Sequence, residues 1–360
     1  MKPNLFSFAT SELTQDAVIA YLLAWSSPDC ARENELLHQL GTNFLYSLMD
    51  VSSKSKNVDN PLKYLKINKI KVGRQLKHID VHVEINDEYF LLIEDKVHTY
   101  EHSNQINRYV LELSEIKSVS ESNIYPVYIK TGDESLYFQP KSNIGIYGRG
   151  DFLSLIGRFS DTKNTIIEDF REHLQRWESR IEIFQSTPVK SWGWDEFHGF
   201  YKALECCFNA AGYHNDYSWK YVSNPAGGFL GYFWHFTALK NKSCSLYLQI
   251  ENAKELKIRA CAARNPDGSE TSITSPMQYK CLELISQELK KLENINKIIS
   301  VVKYPKFKGG SYAGVASVLF DGQWQWIATD VNNIIDWKET MRRVDQVMQL
   351  ITSAAEAAGT

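Results

Sequence analysis

Asp80, Glu94 and Lys96 are the residues whose types and spacing could do chemistry. They lie in the stretch HIDVHVEINDEYFLLIEDK, His78 to Lys96, where two apolar runs end in charge. A lone buried charge is costly, so charges gathered at the ends of apolar strands imply a task. Asn86 and Asp87 between the runs favour a turn, which predicts a β-hairpin whose cross-strand partners have numbers summing to about 173 or 174. Asp80 then faces Ile93 or Glu94. Side chains alternate along a strand, so Glu94 and Lys96 share a face and Asp95 points away. Two carboxylates and an amine therefore converge. Like charges so close repel unless a cation stands between them, and Mg²⁺, or Mn²⁺ in its place, takes one or two carboxylates and keeps several waters. Such an ion lowers the pKa of a bound water and neutralises charge developing on a phosphoryl oxygen, while a neighbouring lysine positions or deprotonates that water. This is chemistry suited to a phosphodiester.

The elements that must position these groups follow from periodicity. SELTQDAVIAYLLAWSS and ENELLHQLGTNFLYSLMD have helical apolar spacing, with Ser11 or Thr14 as N-cap of the first. Tyr64 to Val72 is β-like and basic, the hairpin strands come next, SNQINRYVLELSEIK reads as a helix, and IYPVYIKT as a short strand. That order suits an α/β core. DTKNTIIEDFREHLQRWESRIEIFQ is a charged helix that serves as connector. Beyond Pro188 the composition turns aromatic, so the expected domains are 1–188 and 189–360. The second reads as a helix (Trp194 to Ala211), strands WKYV, FLGYFWHFTALK, CSLYLQIENA and ELKIRACAAR, a helix (Ser275 to Leu292), strands YAGVASVLF and WQWIATD, and a last helix (Asn332 to Ala358). Helices on an antiparallel sheet are expected. There is no internal repeat and no low-complexity segment.

At these residues the chain resembles the PD-(D/E)XK nuclease superfamily, whose signature is an acid on one strand and (D/E)-x-K on the next. Asp80 matches the first position and Glu94-Asp95-Lys96 the triplet, with Ile79 where the proline of the name would stand. Gln105 to Tyr109 is similar to the QxxxY motif of the recombination-exonuclease branch, and residues four apart share one helical face. TSELTQDAVIAYLLAW resembles the first helix of that branch. The resemblance spans roughly residues 1 to 180. The second half, including NPAGGFLGYFWHF, is similar to the C-terminal region of one bacterial subfamily and carries no role over. What the resemblance implies is a restriction-endonuclease-like core, a mixed sheet flanked by helices, followed by an α+β domain with an antiparallel sheet for recognition or assembly. It implies a metal-dependent deoxyribonuclease in which Asp80, Glu94 and the main-chain carbonyl of Asp95 hold Mg²⁺. Glu12 would support the metal, with Asp16 as its substitute; Lys96 would orient the attacking water, and Gln105 and Tyr109 the strand or the lysine. By the same analogy the role is anti-phage defence.

Other features have plainer readings beside functional ones. The run Lys63 to Lys77 holds six cations (Lys63, Lys66, Lys69, Lys71, Arg74, Lys77) and no acid. Such a run is usually a solvated face, but it leads into Asp80, so Lys69, Lys71, Arg74 and Lys77 are the expected nucleic-acid contacts. Lys303, Lys306 and Lys308 beside Gly309-Gly310 form a smaller basic cluster. His98 and His102, just after Lys96, read as loop residues more readily than as substrate contacts, and Cys206-Cys207 as core. The aromatics Tyr217, Trp219, Tyr221, Phe229, Tyr232, Phe233 and Trp234 read as core more readily than as base-stacking groups.

The whole chain sets the bounds. With 360 residues and 43% hydrophobic content it can bury a large core, and its net charge of -3 requires any polyanion to be met by a local patch. Six cysteines without CxxC spacing argue against structural zinc and a disulfide framework, and read as reduced, mostly buried thiols. The start MKPNLFSFATSEL lacks a continuous apolar core after its charge and no run of about 18 apolar residues occurs, so neither a signal peptide nor a membrane span is expected. The expectation is a cytoplasmic protein with DNA as partner, a homo-oligomer left open. A non-cleaving binding or sensor protein and a ribonuclease of the same fold are the alternatives.

Overall fold

The computed structural model describes residues 3–9, 11–99, 104–140, 143–212, 217–224, 227–251, 255–263, 272–292 and 297–358. The chain divides into two compact units, Met1–Glu134 with Phe138–Ser179, and Ser135–Tyr137 with Arg180–Thr360.

In the first unit α1 (Glu12–Ala24) and α2 (Glu35–Ser55) precede β1 (Ile70–Leu76), β2 (Ile79–Ile85) and β3 (Tyr89–Lys96). Then come α3 (Gln105–Lys117), β4 (Ile124–Lys130), β5 (Gly145–Gly148), α4 (Arg149–Gly157) and α5 (Thr165–Glu182), the last crossing the division between the units. The sheet order is β1-β2-β3-β4-β5. β1, β2 and β3 run antiparallel, while β3, β4 and β5 run parallel. This mixed sheet flanked by helices is the expected PD-(D/E)XK architecture. Asn86 and Asp87, both at φ 55°, make the hairpin turn, which Glu88 N closes by donating to Ile85 O at 3.0 Å. Val81 pairs with Ile93 and Glu84 with Phe90, so the next step of the register sets Asp80 opposite Glu94.

β3 is buried on both faces. Leu91 and Ile93 join the core beneath α1, α2 and α5, while Phe90 and Leu92 join the one beneath α3. Each such fully buried side chain stabilises the fold by about 1.5–3 kcal/mol relative to exposure. Alternation then carries Glu94 and Lys96 to the α3 side and Asp95 to the α1 side.

β1 starts later than its basic pattern predicted. Asn86 explains the delay: its Oδ1 accepts from Asn68 N at 2.8 Å and Lys69 N at 3.1 Å, and its Nδ2 donates to Lys66 O at 2.9 Å. The approach to the strand is thus tied to the hairpin turn instead of a ladder. β5 and α4, of 4 and 9 residues, have no periodicity long enough to announce them.

The second unit is an antiparallel sheet of order β10-β11-β9-β8-β7-β6. Its strands are β6 (Tyr217–Val222), β7 (Phe229–Ala238), β8 (Cys244–Glu251), β9 (Glu255–Ala262), β10 (Ile299–Lys303) and β11 (Tyr312–Phe320). Residues of α6 (Trp194–Ala210), α7 (Ser275–Lys291) and α8 (Trp337–Ala357) share one core with alternate strand residues such as Leu246, Leu248 and Ile258. Tyr217, Trp219, Tyr232 and Trp234 are core, as expected, whereas Tyr221 is half exposed and Phe229 and Phe233 are partly so.

Three expectations need correction here. WQWIATD is no strand: β11 already has β10 and β9 on its two sides, and this segment instead buries Trp326 and Ile327 in an irregular path with one isolated bridge, Thr329 to Ile335. The last helix begins at Trp337, because Asp330 Oδ1 accepts from Asn332 N and Ile334 N, and Asp336 then caps the helix by accepting from Glu339 N at 3.0 Å. All six cysteines are free, yet only Cys244 and Cys281 are buried; Cys206 is exposed and Cys207 half-buried, and Leu204 and Phe208 fill that helix's inner face.

Candidate active site

The C-terminal ends of β3 and β4 gather the predicted residues between the N-terminal turns of α1 and α3. Lys96 Nζ makes a close ion pair with Glu94 Oε1, lies 3.7 Å from Asp80 Oδ2 and donates to the carbonyl of Asp95 at 3.1 Å. Asp80 Oδ2 also accepts from Asp95 N at 3.0 Å, which fastens the two strand ends together. From α3, Gln105 Nε2 donates to Glu94 Oε1 at 2.7 Å and to the Tyr109 hydroxyl at 2.8 Å. The spacing of four does bring Gln105 and Tyr109 onto one face, and that face meets Glu94. His78 stacks on Tyr109 at 6.1 Å.

The other side of β3 is also acidic. Asp95 turns its side chain toward α1, where Gln15 Nε2 donates to Oδ1 at 2.6 Å. Gln15 Oε1 in turn accepts from the Thr131 hydroxyl at 2.7 Å, and Thr131 O accepts from Arg149, whose guanidinium also grips Asp133 and Glu178. Asp16 lies beside, bonded to Gln75 at 3.2 Å and 4.0 Å from Arg74. Glu12 Oε1 accepts from Val97 N and from the Thr99 hydroxyl, each at 3.0 Å. Lys130 holds the same exit from the other direction, donating to Val97 O at 3.1 Å and to Thr99 O. Gly132 permits this closeness, since a Cβ there would stand 1.8 Å from Val97 O.

Burial and neighbouring charge displace the ionisation of four of these carboxyl groups. Burial, then the charge of Asp80, pushes Glu94 up to about 7 despite Lys96. Burial and Asp80 push Asp16 up to about 6. Asp95 is raised by burial, with Gln15 only partly opposing. Burial would also raise Glu12, but the Val97 and Thr99 bonds and Lys96 outweigh it and hold that carboxyl low. Burial disfavours the Lys96 ammonium, yet the pair with Glu94 and the charges of Asp80 and Glu12 prevail and raise it.

Among the described residues no three His, Cys, Asp or Glu side chains form a ready metal-ligand group. A hard cation fits all the same. Glu94 Oε2 is buried and has no donor, and Asp80 and Glu94 repel across the strand ends. An ion that needs only one or two carboxylates and keeps its waters meets both conditions.

The basic run is split. Lys69 and Lys71 pair with Asp87 at 2.7 and 2.8 Å, and Lys71 also with Glu84 at 3.3 Å. They stand at the turn end of the hairpin, where Lys71 lies opposite Glu84, about 13 Å along the strand from Asp80, and Lys69 lies further still. Arg74 and Lys77 are at the Asp80 end, with Arg74 donating to Leu13 O at 3.0 Å. His98 is exposed beside Trp177, with ring centroids 5.6 Å apart; His102 lies outside the described residues. Gln15, Thr131 and Gln75 were not foreseen. Gln15 shares the α1 stretch with Glu12 and Asp16 and could have been suspected, but nothing in the sequence marks Thr131.

The family model of the PD-(D/E)XK nuclease superfamily matches residues 3–143. Over these residues the chain is similar to that superfamily, which supports a hydrolytic nuclease. No curated protein and no solved structure matches the chain. No helix among the described residues is long and apolar enough to cross a membrane.

Proposed function

We propose that this protein is a Mg²⁺-dependent nuclease that hydrolyses phosphodiester bonds of DNA, with its catalytic centre in a domain comprising roughly residues 1–188. The observation that carries the reading is the meeting of Asp80, Glu94 and Lys96 at the end of β3, inside the segment that matches the superfamily.

In this reading Asp80, Glu94 and the carbonyl of Asp95 would hold Mg²⁺ or Mn²⁺, which would supply an acidified water and a counter-charge for the phosphoryl oxygen. The chain's own residues do the rest. Lys96, kept as an ammonium by its acidic neighbours, orients the attacking water and faces the phosphate. Hydrolysis would form a phosphorus–oxygen bond to a water that gives up one proton, while the bond to the leaving oxygen breaks and that oxygen takes up a proton. Gln105 fixes the Glu94 carboxylate and donates to the hydroxyl of the buried Tyr109 as well. Glu12 fixes the Val97–Thr99 exit and adds its charge to the metal site. Arg74 and Lys77 are the cations of the basic run placed to meet phosphates. By resemblance, the setting is cytoplasmic defence against phage.

The test is incubation of the purified protein with linear duplex, circular duplex, single-stranded DNA and RNA, with Mg²⁺ or with EDTA. Metal-dependent cleavage of DNA is expected. Cleavage of RNA alone would assign the same chemistry to a ribonuclease, and binding without cleavage in every arm would overturn the enzyme reading.

A further inference from the structure

We propose that the second unit carries a docking surface for single-stranded nucleic acid, built on Tyr279, Phe307, Lys303, Lys306 and Lys308. The choice of polyanion rests on the nuclease reading of the first unit; the surface does not.

Between β10 and β11 the chain runs Lys303-Tyr304-Pro305-Lys306-Phe307-Lys308-Gly309-Gly310, with cations alternating with aromatics and no acid. The loop is fastened to the start of α7. Ser275 Oγ donates to Phe307 O at 3.2 Å, Gly309 N donates to Gln278 Oε1 at 3.1 Å, and Gly310 and Ile273 exchange two backbone bonds of 2.9 Å. Gly309 has φ 73°, and a Cβ there would stand 2.5 Å from Ile273 O, so the close approach depends on glycine. A loop tied down at these points pays little ordering entropy when it meets a ligand.

Phe307 packs edge-on against Tyr279 with ring centroids 4.8 Å apart. Lys303 Nζ sits 4.3 Å from the Tyr279 centroid and 4.9 Å from that of Phe307, and donates to the Tyr279 hydroxyl at 2.5 Å. Even so, Tyr279 remains 52% exposed. Lys303, Lys306 and Lys308 are exposed, and no acid among the described residues pairs with them. Glu283, one turn along α7 from Tyr279, accepts from Gln287 instead.

The contrast with the first unit decides the partner's charge. Lys69 and Lys71 spend their charge on Asp87 and Glu84, whereas the lysines of this loop have no such counter-charge among the described residues. Phosphates supply it. The exposed part of the Tyr279 side chain gives an unpaired base a surface to stack on; a duplex keeps its bases paired and stacked, and an acidic peptide or lipid headgroup has no base to offer.

The experiment is fluorescence anisotropy of the full chain in EDTA with a labelled single-stranded oligonucleotide, as DNA and as RNA, across a salt series. Duplex DNA and phosphatidylserine vesicles are the comparison arms. Tyr279→Ala should weaken single-strand binding by about tenfold and leave duplex binding unchanged. Lys303→Gln with Lys306→Gln and Lys308→Gln should flatten the slope of log affinity against log salt by about 2, at about 0.7 per lost contact. The corresponding triple arginine variant should bind like wild type. Unaltered affinity and slope in the glutamine variant, or a loss seen only with vesicles, would overturn the proposal. If wild type cleaves with Mg²⁺ but the glutamine variant binds as before, the surface fails and the nuclease stands. If nothing is cleaved yet binding falls in that variant, the surface stands without the nuclease.

Discussion

Gln15 joins Asp95 to Thr131, donating to the Asp95 carboxylate at 2.6 Å and accepting from the Thr131 hydroxyl at 2.7 Å, across 80 and 116 residues of sequence respectively. Asp95 is buried, so removing its donor strands a polar group. Gln15→Ala should cost about 1–3 kcal/mol of stability, measured by urea denaturation. Because Asp95 also offers its carbonyl at the site, kcat should fall more than substrate affinity. A variant of wild-type stability would show that the bond carries no weight.

Lys96→Ala, Asp80→Asn and Glu94→Gln each remove a group from one centre. Cleavage should drop by about 10²–10⁴-fold in each, with circular dichroism unchanged. Full activity in purified Lys96→Ala would sink the assignment of the site.

The raised carboxyl groups give the metal-free protein a pH signature. Glu94 titrates near 7 when folded against 4.5 for its ordinary value, so the folded state holds the extra proton. The stability this proton provides is full below about 4.5 and is lost as pH rises through 7. Asp16, near 6, acts in the same direction, whereas His82, held low by burial, opposes them. Melting temperature in EDTA should therefore fall between pH 5 and 8, and Glu94→Gln should flatten the fall while His82 stays the same. Mg²⁺ should raise the melting temperature of wild type most at the alkaline end, by mass action on the folded state. An equal Mg²⁺ shift in Asp80→Asn would put the ion elsewhere.

The two halves of the basic run should differ in substrate binding. Lys69→Gln with Lys71→Gln removes cations already neutralised by Asp87 and Glu84, so the salt dependence should not change. Arg74→Gln with Lys77→Gln should flatten the slope by about 0.9 per contact on duplex, or about 0.7 on a single strand. The reverse pattern would move the strand's path to the hairpin turn.

The hairpin was legible because its information is local. An Asn86-Asp87 turn, alternating Ile79, Val81 and Val83, and charges at the strand ends fix register and facing together. The same holds for Gln105 and Tyr109, which helical spacing alone puts side by side. What escaped depended on tertiary context. The strand-like WQWIATD lost its ladder because β10 had taken the edge of β11, and nothing within seven residues can reveal that. The pairing of Lys69 and Lys71 with Asp87 and Glu84 follows from the strand register, which the basic run by itself does not display. Thr131 matters through Gln15 and Arg149, two partners that only the packed fold brings within reach.

The short turns of β1, β2 and β3 have a consequence in time. These strands are joined by tight connections and need little loop closure, so they are suited to form early, whereas the contacts that complete the acidic site span 80 to 116 residues. Asp80 and Glu94 would thus meet before α1 brings Glu12, Gln15 and Asp16. A refolding chain would bring its two central acids together before the framework that aligns them has docked, and cutting power would arrive only with the last docking step. Pulse-labelling hydrogen exchange should show β2 and β3 amides protected before Val97 N; simultaneous protection would refute this order.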